Sequence, residues 1–130
     1  MKSNADGRIR NKQLFMQRIS FDGLGGQTLY PTDIDLIYEH KNRGYFMAEL
    51  KCKGSALPTG QRLLMERFAR DMQRAGKFAI IVIAEHECND DIIPLAECQV
   101  SRVYITDWQV VKATCTVRQA FQMFLDKVGG

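Results

Sequence analysis

Between residues 33 and 53 apolar and polar side chains alternate in two runs joined by a short polar segment, the period-two pattern of a β-hairpin with unlike faces. In the first run Asp33, Asp35, Ile37 and Glu39 share one face, and Ile34, Leu36, Tyr38 and His40 share the other. In the second run Tyr45, Met47, Glu49, Lys51 and Lys53 fall together, opposite Phe46, Ala48, Leu50 and Cys52. One face reads as core and the other as chemical. A loop of Asn42, Arg43 and Gly44, with the glycine in the left-handed position of a bulge-type turn, sets Lys41 opposite Tyr45. That register places Asp35 opposite Lys51 and diagonal to Glu49, near enough for two carboxylates to converge on one cation.

Past Lys51, Pro58 and Thr59 signal a helix start. At helical spacing Leu64, Met65, Phe68, Met72 and Ala75 form an inward stripe, and Arg62, Glu66, Arg70, Gln73 and Lys77 an outward one. Gln61 falls within the apolar stripe, where its amide needs a hydrogen-bonding partner. The continuous apolar run 78–84 predicts a strand covered on both faces. Residues 85–91 read as a polar loop, with His86 at the end of the central strand and expected as a surface histidine. Residues 99–106 alternate like another strand, and Trp108 after it reads as a packing anchor. A last helix beginning at Cys115 or Thr116 turns Val117, Ala120, Phe121, Phe124 and Leu125 inward. Nearer the start, 7–18 predicts a short helix, 23–26 a turn and 28–30 a possible strand.

A chain of 130 residues, 45% of them hydrophobic, fits one domain with an ordinary core. Its net charge of +3 is too small to carry nucleic-acid binding by itself. Local basic clusters are the candidates for phosphate contacts: Arg8, Arg10 and Lys12 near the start, Lys53 after the hairpin, and Arg62 on the central helix. The cysteines, Cys52, Cys88, Cys98 and Cys115, lack the paired spacing of a zinc site, and Cys52 reads as an inert packed thiol. With no signal peptide and no apolar run long enough for a bilayer, the chain is expected to be reduced, intracellular and not a membrane protein.

The hairpin's chemical face suits a hard divalent cation. Asp35, Glu49 and the main-chain carbonyl of Leu50 offer oxygen ligands for Mg²⁺ or Mn²⁺, which retains several waters. Such an ion acidifies bound water and polarises a phosphoryl oxygen. Lys51 can orient the attacking water or stabilise developing charge, and Asp33 can hold a second metal or a metal-bound water. The plain alternative is a solvated sheet face bearing ordinary charges.

Taken together, Pro31-x-Asp33-x-Asp35, Glu49-x-Lys51 and the Gly60-Gln61-Arg62 helix start resemble the PD-(D/E)XK nuclease superfamily, in particular small phage and prophage nucleases akin to VRR-Nuc domains. The resemblance covers roughly residues 30–84. It implies an α/β restriction-endonuclease-like fold, an αβββαβ core with a central mixed sheet flanked by helices. It also implies DNA cleavage with Mg²⁺ or Mn²⁺, with Asp35, Glu49 and Lys51 at the catalytic positions and Gln61 as an accessory. Many relatives supply a further glutamate from the first helix, and no Glu precedes Glu39 here, so Asp33 or Asp22 substitutes or the site uses fewer ligands.

The expected function is a metal-dependent DNA endonuclease, selective for branched DNA such as Holliday junctions and acting as a homodimer. The expected setting is the cytoplasm of a bacterial host of phage or prophage. The dimer surface is sought in the last helix or in the strand at 99–106. A catalytically silent nucleic-acid-binding module, or a subunit of a phage replication or recombination complex, is the alternative.

Overall fold

A computed structural model of the chain describes residues 20, 22–24, 32–87 and 92–129. The chain divides into two compact units, Met1–Pro31 and Thr32–Gly130. In the first, the expected turn is present around Gly23, at φ 86°, with the Asp22 amide donating to Ser20 Oγ at 3.2 Å. The helix expected at 7–18, the strand at 28–30 and the basic residues Arg8, Arg10 and Lys12 lie outside the described residues, as does Cys88.

The second unit is an α/β fold: a five-stranded mixed sheet with a helix on each face. In chain order its elements are β1 (Leu36–His40), β2 (Gly44–Cys52), α1 (Thr59–Arg74), β3 (Phe78–His86), a 3₁₀ turn (Leu95–Glu97), β4 (Gln99–Tyr104), β5 (Trp108–Val110) and α2 (Val117–Val128). The strands lie in the order of the chain. All neighbours are antiparallel except β2 and β3, which are parallel. A parallel pair needs a long crossover, and α1 supplies it.

The hairpin register differs from the sequence expectation by two residues. His40 pairs with Gly44 and Leu36 with Ala48, so the loop is Lys41, Asn42 and Arg43, closed by the Arg43 amide on His40 O at 2.8 Å. Lys41 (φ 47°) and Asn42 (φ 60°) hold the left-handed positions assigned to the glycine. Gly44 is required for a different reason: a Cβ there would lie 2.7 Å from Val128 Cγ1 and 2.9 Å from the Phe78 carbonyl. Because the slip is even, every residue keeps its face. Asp35 moves from opposite Lys51 to opposite Glu49. Regular pairing starts at Leu36, so the alternation expected from Asp33 onward fails at Ile34, which packs on the α1 side.

Neither face is purely chemical. Beneath α2, Phe46, Ala48, Val82, Ala84, Val100 and Phe124 form an apolar core, extended by Tyr38 and Phe121, whose rings meet edge to face at 5.0 Å between centroids. Beneath α1, Met47, Ile81 and Ile83 pack against Met65 and Ala69. β3 is therefore buried on both sides, as its continuous apolar run requires. The strand takes in Glu85, which the sequence reading assigned to a loop, and ends at His86. β4 is bonded on both edges, with Val100 and Tyr104 buried and Ile105, just past its end, exposed.

Helix ends follow their residues. α2 starts with a capping box, Thr116 Oγ1 accepting from the Gln119 amide while the Gln119 side chain accepts from the Thr116 amide. α1 begins after Pro58 without a side-chain cap. Its inward stripe is rotated from expectation: Glu66 is buried, whereas Leu64 and Ala75 are exposed. Trp108 explains the rotation, its indole N–H reaching Glu66 Oε2 at 2.5 Å while its ring packs on Tyr104.

Cys52 is disulfide-bonded and not the packed thiol expected, so cysteine usage no longer argues for a reducing compartment. Among the described residues no helix is long and apolar enough to cross a membrane.

Candidate functional site

At the open end of the hairpin, one step beyond the Leu36–Ala48 pair, Asp35 and Glu49 interlock. The Asp35 amide donates to Glu49 Oε1 at 3.1 Å, and the Leu50 amide donates to Asp35 Oδ2 at 2.8 Å. Each carboxylate is thus held by the backbone of the other strand, side by side and without a covering strand. Lys51, two residues along on the same face, brings Nζ to 3.1 Å from Glu49 Oε2. Glu49 is buried at 5% exposure while Asp35 is exposed, so the pair runs from the interior to solvent.

These donors take the place of water around the buried Glu49 side chain, since a buried polar group without partners is strongly disfavoured. Gln61, in the first turn of α1, closes the inner wall. It is buried, and its Nε2 donates to the Asp33 carbonyl at 3.0 Å. Its Oε1 is buried with no partner among the described residues. An orphaned acceptor of this kind is uncommon in a folded interior and marks a place where water or a ligand group completes the arrangement. Asp33 itself is exposed and meets Gln61 through its main chain.

The donor set fits a divalent cation of the hard, oxygen-seeking type. The Lys53 amide donates to the His86 carbonyl at 2.9 Å. By alternation along the strand, the amide and carbonyl of Leu50 face the β1 side instead, and the Leu50 amide does so observably. Its carbonyl therefore faces the edge of the strand on which Asp35 lies. Among the described residues no three or more His, Cys, Asp or Glu side chains gather as a metal-holding group. Asp33 adds no third carboxylate to the pair. Two carboxylates and a carbonyl suit Mg²⁺ or Mn²⁺, whose remaining positions are filled by water.

The basic residues expected to bind nucleic acid are dispersed. Lys53 is exposed beside the site. Arg62 is ion-paired to Glu66 at 2.9 Å, and Arg70 bonds Tyr104 Oη at 3.1 Å. Lys77 donates to Asn42 Oδ1 at 2.5 Å. Arg62 is therefore engaged within α1, while Arg70 ties the helix to β4 and Lys77, past its end, ties to the hairpin loop.

The sequence reading missed Glu85. Its parallel pairing with Lys51 puts both side chains on the face that carries Glu49. Continuing the period-two count past the apolar run 78–84 would have found it. No family model, curated protein or solved structure matches this chain.

Proposed function

We propose that the chain is a Mg²⁺- or Mn²⁺-dependent DNA endonuclease of restriction-endonuclease-like architecture, with Asp35, Glu49, Lys51 and Gln61 as its working residues. The observation that carries this reading is the interlocked Asp35–Glu49 pair, with Lys51 on Glu49 at the uncovered end of a hairpin. Asp35, Glu49 and the Leu50 carbonyl would hold the ion. When bound, it supplies an acidified water and a polarised phosphoryl oxygen.

The chain's own groups do the rest. Lys51 neutralises charge developing on the phosphoryl oxygens, a role that needs a donor fixed in advance near the reacting centre. Gln61, anchored through Nε2, offers Oε1 to orient the attacking water. Lys53, exposed at the mouth, neutralises a flanking phosphate. Paired incisions in branched DNA need two such sites, most simply in a twofold dimer.

The test is incubation of the purified protein with labelled single-stranded, duplex and branched DNA, and with RNA, with and without Mg²⁺ or Mn²⁺. Metal-dependent cleavage by wild type and not by Asp35→Asn is the expected result. Equal cutting by the two proteins, or no cutting of any substrate with either ion, overturns the reading.

A further inference from the structure

A divalent cation on Glu49 would set a like charge against the Lys51 ammonium in a poorly solvated corner and so weaken its hold on Glu49. Lys51 then needs a second acceptor on the same face and within the reach of a lysine. Glu85 is paired with Lys51 in the β2–β3 register, so their backbones are about 4.8 Å apart and their side chains parallel.

The Glu85 carboxylate is loosely engaged. Its Oε2 meets the Gly54 amide at 3.5 Å, the outer limit of a hydrogen bond. From the other side, Gln99 directs its Nε2 to the carbonyls of Val100 and Ala113 and its Oε1 to the Cys115 amide. The register thus gives Lys51 two carboxylate neighbours on one face, Glu49 already in contact at 3.1 Å and Glu85 across the strand pair.

We infer that Glu85 is a positioning residue that takes over the Lys51 ammonium when Glu49 turns to a divalent metal. The inference rests on the metal reading of the Asp35–Glu49 pair. Glu85 lowers the cost of freeing Glu49 and fixes Lys51 beside the ion instead of letting it swing into solvent. Removing Glu85 leaves Lys51 competing with the metal for Glu49, and the competition appears in metal affinity without any substrate.

The experiment is calorimetric titration of the full chain with Mn²⁺ alone, for wild type, Glu85→Gln, Lys51→Met and the double variant, with thermal melts as a check on folding. Glu85→Gln should weaken Mn²⁺ binding about fivefold, the scale of coupling between neighbouring charged groups. Lys51→Met, lacking the competitor, should bind Mn²⁺ more tightly than wild type. In the Lys51→Met background the Glu85→Gln change should have less than about a twofold effect. Glu85→Asp, which keeps the charge but draws it back from Lys51, should weaken binding in the same direction.

Equal weakening in both backgrounds would mean that Glu85 acts through its charge alone or through Lys53, and would overturn the inference. So would unchanged affinity in Glu85→Gln. Wild type that binds no Mn²⁺ would instead overturn the metal reading itself, and the inference with it.

Discussion

Two glutamates of this protein are equally buried, Glu49 and Glu66 at 5% exposure each, yet their surroundings differ in kind. Glu66 is enclosed by fixed donors. Trp108 Nε1 lies at 2.5 Å and Arg62 at 2.9 Å from Oε2, and Arg70 at 3.8 Å from Oε1. Burial pushes its carboxyl up, but the bonds from Trp108 and Arg62 and the charges of Arg62 and Arg70 outweigh burial and leave it below its usual value of 4.5. Glu49 is held by one backbone amide and by the ammonium of Lys51, beside an exposed Asp35. A buried carboxylate enclosed by an indole and two guanidinium groups ties one element to another. One held by a flexible lysine beside an exposed carboxylate is the arrangement that the proposed metal site requires.

The sharpest way to break this comparison is to neutralise each glutamate and measure both activity and stability. Glu49→Gln keeps an acceptor for the Asp35 amide and should melt within a few degrees of wild type. Its metal-dependent cleavage rate should fall by about three orders of magnitude, or roughly 4 kcal/mol of transition-state stabilisation. Glu66→Gln should leave that rate within about threefold, because its partners among the described residues are Trp108, Arg62 and Arg70 and not Asp35, Glu49 or Lys51. Initial rates on the DNA substrate that wild type cuts best decide it. A Glu49→Gln protein that cuts as fast as wild type would make Glu49 another structural charge.

Stability should respond in the opposite order. Glu66→Ala strips the acceptor from Trp108 and Arg62, and bonds to charged groups are worth about 1.5–3 kcal/mol each. Arg62 and Arg70 are partly exposed and regain solvent, so the expected loss is about 2–4 kcal/mol, a fall in Tm on the order of 10 °C or more. A melt within a few degrees of wild type would show that the indole bond contributes little.

Acid should expose the same bond more gently. The folded-state carboxyl of Glu66 is depressed, so its contribution is fully present above the unfolded value near 4.5 and is lost as pH falls through the lower, folded value. Wild type should therefore lose Tm more steeply than Glu66→Gln as pH is lowered from 5 to 3. Parallel melting curves for the two proteins across that window would contradict the assignment.

The contrast also marks what the sequence could and could not reveal. Parity along the hairpin identified the face shared by Asp35, Glu49 and Lys51, and parity survives an even slip of register. The slip itself was invisible because Gly44 looks like a left-handed turn residue. Its smallness instead answers to Val128 and the Phe78 carbonyl, which are distant in the chain. Helical spacing placed Gln61 inward correctly but turned Glu66 outward, since the partner that draws it in, Trp108, lies 42 residues away. Glu85 was lost where the continuous apolar run ended, because a strand that emerges from cover looks like a loop in composition alone. Local periodicity reported faces. Long-range partners decided which buried charges are structural.

Gln61 offers the smallest and most discriminating test, because it shares features with both glutamates. Its Nε2 is locked on the Asp33 carbonyl, as the Glu66 carboxylate is locked by its donors, while its Oε1 has no partner among the described residues. Gln61→Met keeps the volume, removes the orphaned acceptor and forfeits one neutral hydrogen bond of about 0.5–1.5 kcal/mol. Relief of the buried Oε1 offsets part of that loss, so Tm should stay within a few degrees. If Oε1 orients the attacking water, turnover should fall about tenfold with little change in the concentration of DNA needed for half-saturation, the pattern of an interaction made mainly in the transition state. Unchanged turnover in a protein that melts normally would place Gln61 with Glu66 as a structural group and leave the chemistry to Asp35, Glu49 and Lys51.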